Sequence, residues 1–178
     1  MKLLRTIRLD ASDTFVFEPA AEPGEWAVSG AFVFWHRDPE SLQGKARSAF
    51  RSGFLGVQSL GWSTLVQIVA ATAQDRAALI DALAQQLIAR FGAPDEKAAR
   101  AAAEEEVAFV ESLCTQPLDT LIAVHRTFED GEVRESFRTL RPRAGAKPAR
   151  AFSFFDVEGE DAPADDSVNL IGMAGKKG

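Results

Sequence analysis

Two runs of alternating apolar and polar residues, 121–128 and 133–140, are separated by a step that contains Asp130-Gly131. Asp-Gly suits the tight two-residue turn whose twist matches that of paired strands, so this dipeptide commits the chain to an antiparallel β-hairpin. With Asp130 and Gly131 as the loop, Glu129 faces Glu132. Counting back pairs Phe128 with Val133, Arg126 with Glu135, Val124 with Phe137 and Ile122 with Thr139. The other face pairs Thr127 with Arg134, His125 with Ser136, Ala123 with Arg138 and Leu121 with Leu140. A slip of one residue would exchange the faces, because side chains alternate along a strand. Phe128, Val133, Val124 and Phe137 are therefore expected to be buried, with His125, Arg134 and Arg138 the more exposed set.

Upstream of the hairpin, Leu79, Ile80, Leu83, Leu87, Ile88 and Phe91 recur at helical spacing and form one apolar stripe. Gly92, Ala93 and Pro94 end it. Asp95 and Glu96 favour the start of a second helix, whose Ala103, Val107, Val110 and Cys114 share a face. A loop this short predicts an antiparallel helical hairpin. Before it, short apolar runs at 3–9, 15–17 and 26–35 read as strands, with the Pro- and Gly-bearing segment EPAAEPGE as a turn and Gly30 as a bend or bulge. Residues 37–53 read as a short helix or ordered loop, starting at Asp38-Pro39 and stopping at Gly53. Residues 64–69 read as a central buried strand.

Strands, then helices, then a strand hairpin predict an α+β fold, a mostly antiparallel sheet of about six or seven strands with the helical hairpin packed on one face. A single domain is expected over 1–141. Residues 142–178 read as a linker and tail, with an aromatic docking segment at 152–157 that is expected to add as a strand to a sheet edge.

A length of 178 residues suits one domain with a proper core. The net charge of -6 opposes non-specific nucleic-acid binding. No apolar run is long enough to span a membrane, and the charged start KLLRTIRLD lacks a signal-peptide core, so a cytoplasmic protein is expected. One cysteine and two histidines are too few for the usual zinc frameworks, and no metal is expected. No phosphate-cradling glycine loop occurs, and no cofactor is expected.

The candidate ligand-binding residues are His125, Arg134, Ser136 and Arg138, which the register puts on one pleated face. Guanidinium groups offer paired donors matched to phosphate or carboxylate oxygens; the competing reading is the solvated face of an amphipathic hairpin. Arg126 opposite Glu135 reads as a cross-strand ion pair. His125 beside Ser136 lacks the orienting acid, the oxyanion donors and the sharp turn of a serine nucleophile, so no catalytic residue is assigned. Glu104 and Glu111 share a helix face, but without the histidine of helical di-metal sites they read as a solvated charged face. Cys114 reads as an inert core thiol.

Gly61-Trp62, the strand His125-Arg126-Thr127-Phe128 and the strand Arg134-Glu135-Ser136-Phe137-Arg138 resemble a family of short, uncharacterised proteobacterial proteins, over roughly residues 1–140. The resemblance implies an accessory role beside molybdenum-dependent oxidoreductases and carries over no catalytic residue. A non-enzymatic accessory or protein-binding module is the expected function, with a protein partner or a homo-oligomer. The alternative is a small-molecule or anion-binding protein, or a small enzyme, using an arginine-lined pocket.

Overall fold

The structure, a computed structural model, describes residues 1–142 and 155–158. Eight strands and four α-helices follow in the order β1 (Lys2–Ile7), α1 (Ser12–Val16), β2 (Trp26–Val28), α2 (Gly44–Ser52), β3 (Phe54–Gly56), β4 (Trp62–Ser63), β5 (Leu65–Ala70), α3 (Ala73–Phe91), α4 (Glu96–Leu113), β6 (Leu121–Glu129), β7 (Glu132–Pro142) and β8 (Phe155–Glu158). The strands form one sheet in the order β4-β3-β2-β1-β5-β6-β7-β8, and each neighbouring pair is antiparallel. The fold is α+β.

The hairpin register is the one the Asp-Gly turn predicts, from Glu129 opposite Glu132 to Leu121 opposite Leu140. Asp130 and Gly131 both have positive φ, 52° and 79°. Val124 and Phe137 are buried. Phe128 and Val133, nearer the turn, are only half-buried, as are His125, Arg134 and Arg138. β5 is central, but its outward Leu65, Gln67 and Val69 are half-exposed, whereas Val66 and Ile68 are buried.

The helical hairpin forms as its pattern requires. Thr72 and Asp75 make a reciprocal capping box at the start of α3, Gly92 ends it at φ 73°, and the Asp95 carboxylate accepts from the Ala98 amide at the start of α4. Leu79, Ile80, Leu83 and Leu87 face the core together with Ala103, Val107 and Val110. Ile88 is exposed and Phe91 half-buried at the free end of the stripe. Phe109 of α4 meets Phe137 of β7 at 5.8 Å between ring centres, with Phe54 behind it at 6.1 Å.

Two strand expectations fail. Residues 12–16 form α1, because the Asp13 carboxylate turns inward to accept from the Thr64 amide at 3.2 Å and the Thr64 hydroxyl at 2.6 Å, pinning the segment over the β4–β5 corner. The 26–35 run is a strand only as far as Val28. Gly30 takes φ 81° and turns the chain into a 3-10 helix, Ala31–Phe34. A Cβ at Gly30 would stand 2.6 Å from the Leu55 Cβ and 3.0 Å from the Trp62 ring, so the turn and the close approach both require glycine. The chain then runs through a 3-10 turn, Pro39–Ser41, capped by Asp38, into α2, whose end at Gly53 agrees with the sequence.

Candidate functional site

The buried face of the last hairpin carries the densest polar network found among the described residues, centred on Arg126. This side chain is fully buried, and burial lowers its proton affinity while the Glu135 carboxylate raises it. Its Nε donates to Glu135 Oε2 at 2.8 Å. Its Nη1 donates to the carbonyls of Phe50 at 3.0 Å and Gly53 at 2.7 Å, and more weakly to that of Ala49. Its Nη2 donates to the Ser29 carbonyl and, at 3.2 Å, to the Ser29 hydroxyl, which itself donates to Glu135. These carbonyls lie at the C-terminal end of α2 and its cap, Gly53, where backbone acceptors run short of helical partners and a cation is favoured. Arg126 thus ties α2 to the β6–β7 hairpin. The sequence reading of Arg126 and Glu135 as a cross-strand pair is correct in partner, but it missed Ser29 and α2.

Alongside this network, α2 and β6 border a cleft of about 420 Å³ whose lining also includes Arg126. Its polar lining includes His125 and Thr127 from β6, Arg47 and Arg51 from α2, and Glu40 from the preceding turn, with Phe50 and Phe128 among its apolar walls. Arg47 and Arg51 are exposed, one helical turn apart, and neither belongs to an ion pair found among the described residues. His125 is half-buried. Burial, then the positive charges of Arg51 and Arg138, holds its imidazole below its usual 6.5.

The four expected ligand residues are therefore placed unevenly. His125 lines the cleft. Arg138 stands beside it in charge range, and its buried Nε has no hydrogen-bond partner among the described residues. Arg134 pairs with Glu129 at 3.5 Å near the turn. Ser136 is buried, with its hydroxyl 3.4 Å from the His125 carbonyl, and does not line the cleft. Arg47 and Arg51 were missed. Their i, i+4 spacing within GKARSAFRS puts them on one helix face, yet nothing local to that segment points to His125 some 75 residues later.

Other chemistry-bearing groups are engaged structurally. The buried Glu25 carboxylate accepts from the amides of Glu22, Gln58 and Ser59 and from the Ser59 hydroxyl at 2.6–2.9 Å, which shapes the loop between β3 and β4. Cys114 is buried, and burial pushes its thiol up to about 12. Among the described residues, no group of three His, Cys, Asp or Glu side chains is arranged to hold a metal ion, and no helix is long and apolar enough to cross a membrane.

A family of unknown function, DUF6505, matches residues 1–154. The chain belongs to that family. No curated protein and no solved structure matches it. Membership in DUF6505 thus agrees with the resemblance to an uncharacterised family, and it attaches no chemistry to the α2–β6 cleft.

Proposed function

We propose that this DUF6505 protein is a non-enzymatic binding module that holds a small organic anion, a phosphate ester, in the cleft between α2 and β6. The observation that carries this reading is the gathering of Arg47, Arg51 and Arg138 around His125 on a protein of net charge -6. Like charges collected in one concavity repel one another, and an anion relieves that repulsion. Arg47 and Arg51 supply planar donors matched to phosphate oxygens, and the Thr127 hydroxyl adds a neutral donor. Phe50 and Phe128 offer an apolar wall to the organic part, and the volume lies in the range of small-ligand sites. The inert Cys114 thiol and the fully engaged Glu25 and Asp13 carboxylates support binding over catalysis.

Calorimetric titration with phenyl phosphate tests the proposal. Saturable binding is expected, weakening as salt is raised, and the Arg47→Ala/Arg51→Ala double variant is expected to lose at least about tenfold in affinity. Arg134→Ala, at the turn, is expected to bind as the parent does. Absence of saturable binding, or a double variant that binds equally well, would overturn the reading.

A second reading, an accessory protein that docks on a partner, is favoured by the exposure of Trp35 (71 %) and Phe15 (76 %). The proteobacterial origin, the cytoplasmic setting, the role beside molybdenum-dependent oxidoreductases and a homo-oligomeric state belong to this reading. Trp35→Ala and Phe15→Ala would then weaken a defined complex while leaving phenyl phosphate binding unchanged.

A further inference from the structure

A second cavity lies between residues 32–36 and the α3–α4 hairpin. It measures about 630 Å³ and is mainly apolar, lined by Phe32, Trp35, Leu83, Leu87 and Phe91 among others. Phe32 stands edge-on to both Trp35 and Phe91, at 6.3 and 5.2 Å between ring centres, so the aromatic side of the groove is held in place. One carboxyl group in this lining differs from its neighbours. Glu106, on α4, accepts from the Gly30 amide at 3.0 Å, at the point where the αL turn brings the 3-10 segment against the helix.

The charges around Glu106 do not balance. From β6 and β7 it is approached by Arg126 and Glu135, and these already form an ion pair with each other. Glu105, on the same helix, also lines the groove, while Arg90 of α3 and His36 line it from the facing elements. No ion pair found among the described residues includes Glu106. The interior cluster therefore holds two carboxyl groups against one guanidinium.

We infer that the groove binds an apolar ammonium ion, with its charged head on Glu106 and its apolar body between the aromatic rings of residues 32–35 and the α3–α4 face. An ammonium there balances the cluster and donates to a carboxylate already oriented by the Gly30 amide. The state of Glu106 in the empty groove agrees with this. Burial, and secondarily the Glu135 charge, pushes its carboxyl above the usual range against the opposing effects of the Gly30 bond and Arg126, and a bound cation reverses that shift.

The test compares three probes of similar shape and different charge at neutral pH: phenethylammonium, phenethyl alcohol and hydrocinnamate. Binding is read from amide and indole NMR shifts of the full chain. Phenethylammonium is expected to bind at residues 32–36 and 83–106 at least about tenfold more tightly than the alcohol, the factor that corresponds to a charge-assisted hydrogen bond. Glu106→Gln keeps an acceptor for Gly30 and is expected to abolish that preference. Ala102→Trp, built on an exposed alanine that lines the groove, is expected to block all three probes without depending on the fate of the Glu106 variant. Hydrocinnamate binding as tightly as the amine, a preference that survives Glu106→Gln, or no saturable binding in the groove would each overturn the inference.

Discussion

Arg126 remains charged in the interior because every direction of its guanidinium meets an acceptor: a carboxylate, a serine and the end of a helix. A planar five-donor group can serve all of these at once, which a lysine ammonium cannot. Arg126→Ala leaves Glu135 without its cation and the α2 carbonyls without a donor. It is expected to cost about 3–5 kcal/mol in a denaturant titration; a loss below about 1 kcal/mol would contradict the network. His125 supplies a pH test. Because its folded value lies below 6.5, the folded state resists protonation, so stability is lost as pH falls through 6.5 toward the folded value. In NMR its imidazole is expected to titrate below 6.5 in the free protein and to move upward when phenyl phosphate is bound. A free-state midpoint above 6.5 would contradict the placement of Arg51 and Arg138. Glu106 has the opposite sign. Its raised folded value means that stability is present at low pH and declines as pH rises from the ordinary carboxylate range through the folded value. Glu106→Gln is expected to flatten that decline in denaturant titrations across pH, and an unchanged slope would place the carboxyl in solvent.

At the scale of elements, α3 and α4 are held by the stripe that makes them recognisable in sequence. Leu83 is fully buried against α4 and the sheet, so Leu83→Ala is expected to cost about 2–5 kcal/mol in a denaturant titration, and a loss below about 1 kcal/mol would mean the site is not core. The turn after β2 depends on a different constraint. Gly30→Ala must place a Cβ on Leu55 and Trp62 at a φ that L-residues rarely adopt, and the chain cannot relieve both by moving one side chain. This variant is expected to lower the melting temperature and to disturb both the Glu106 bond and the Arg126–Ser29 contact, since Gly30 and Ser29 are adjacent. The failed strand reading of 26–35 has the same origin. Its alternation was real, but one αL residue reverses the chain and turns the second half of an apolar run into a 3-10 helix with Trp35 in solvent. Likewise, Phe15, Val16 and Phe17 look like strand residues until Asp13 finds Thr64, 51 residues away.

For the whole molecule, β8 matters because it covers the outer edge of β7, with Thr139 opposite Glu158 and Leu140 opposite Val157. Of the expected docking segment 152–157, residues 152–154 lie outside the described residues. Truncation after Arg150 would expose the β7 edge. It is expected to lower the melting temperature with the oligomeric state by light scattering unchanged, and an unchanged melting temperature would contradict a stabilising eighth strand. The sequence by itself determined the β6–β7 register, the α3–α4 hairpin and the α+β class, because each follows from local rules: a turn dipeptide, a helical period, a capping residue and the alternation of faces. The tertiary structure decided which polar residues meet. His125 and Arg138 are neighbours by register, but Arg47 and Arg51 reach His125 only because Arg126 fastens the end of α2 to the same strand. Glu106 meets Gly30 only because a left-handed turn lets the 3-10 segment close on α4. Both sites are made by contacts between residues about 75 positions apart in sequence, and nothing in local propensity encodes such separations.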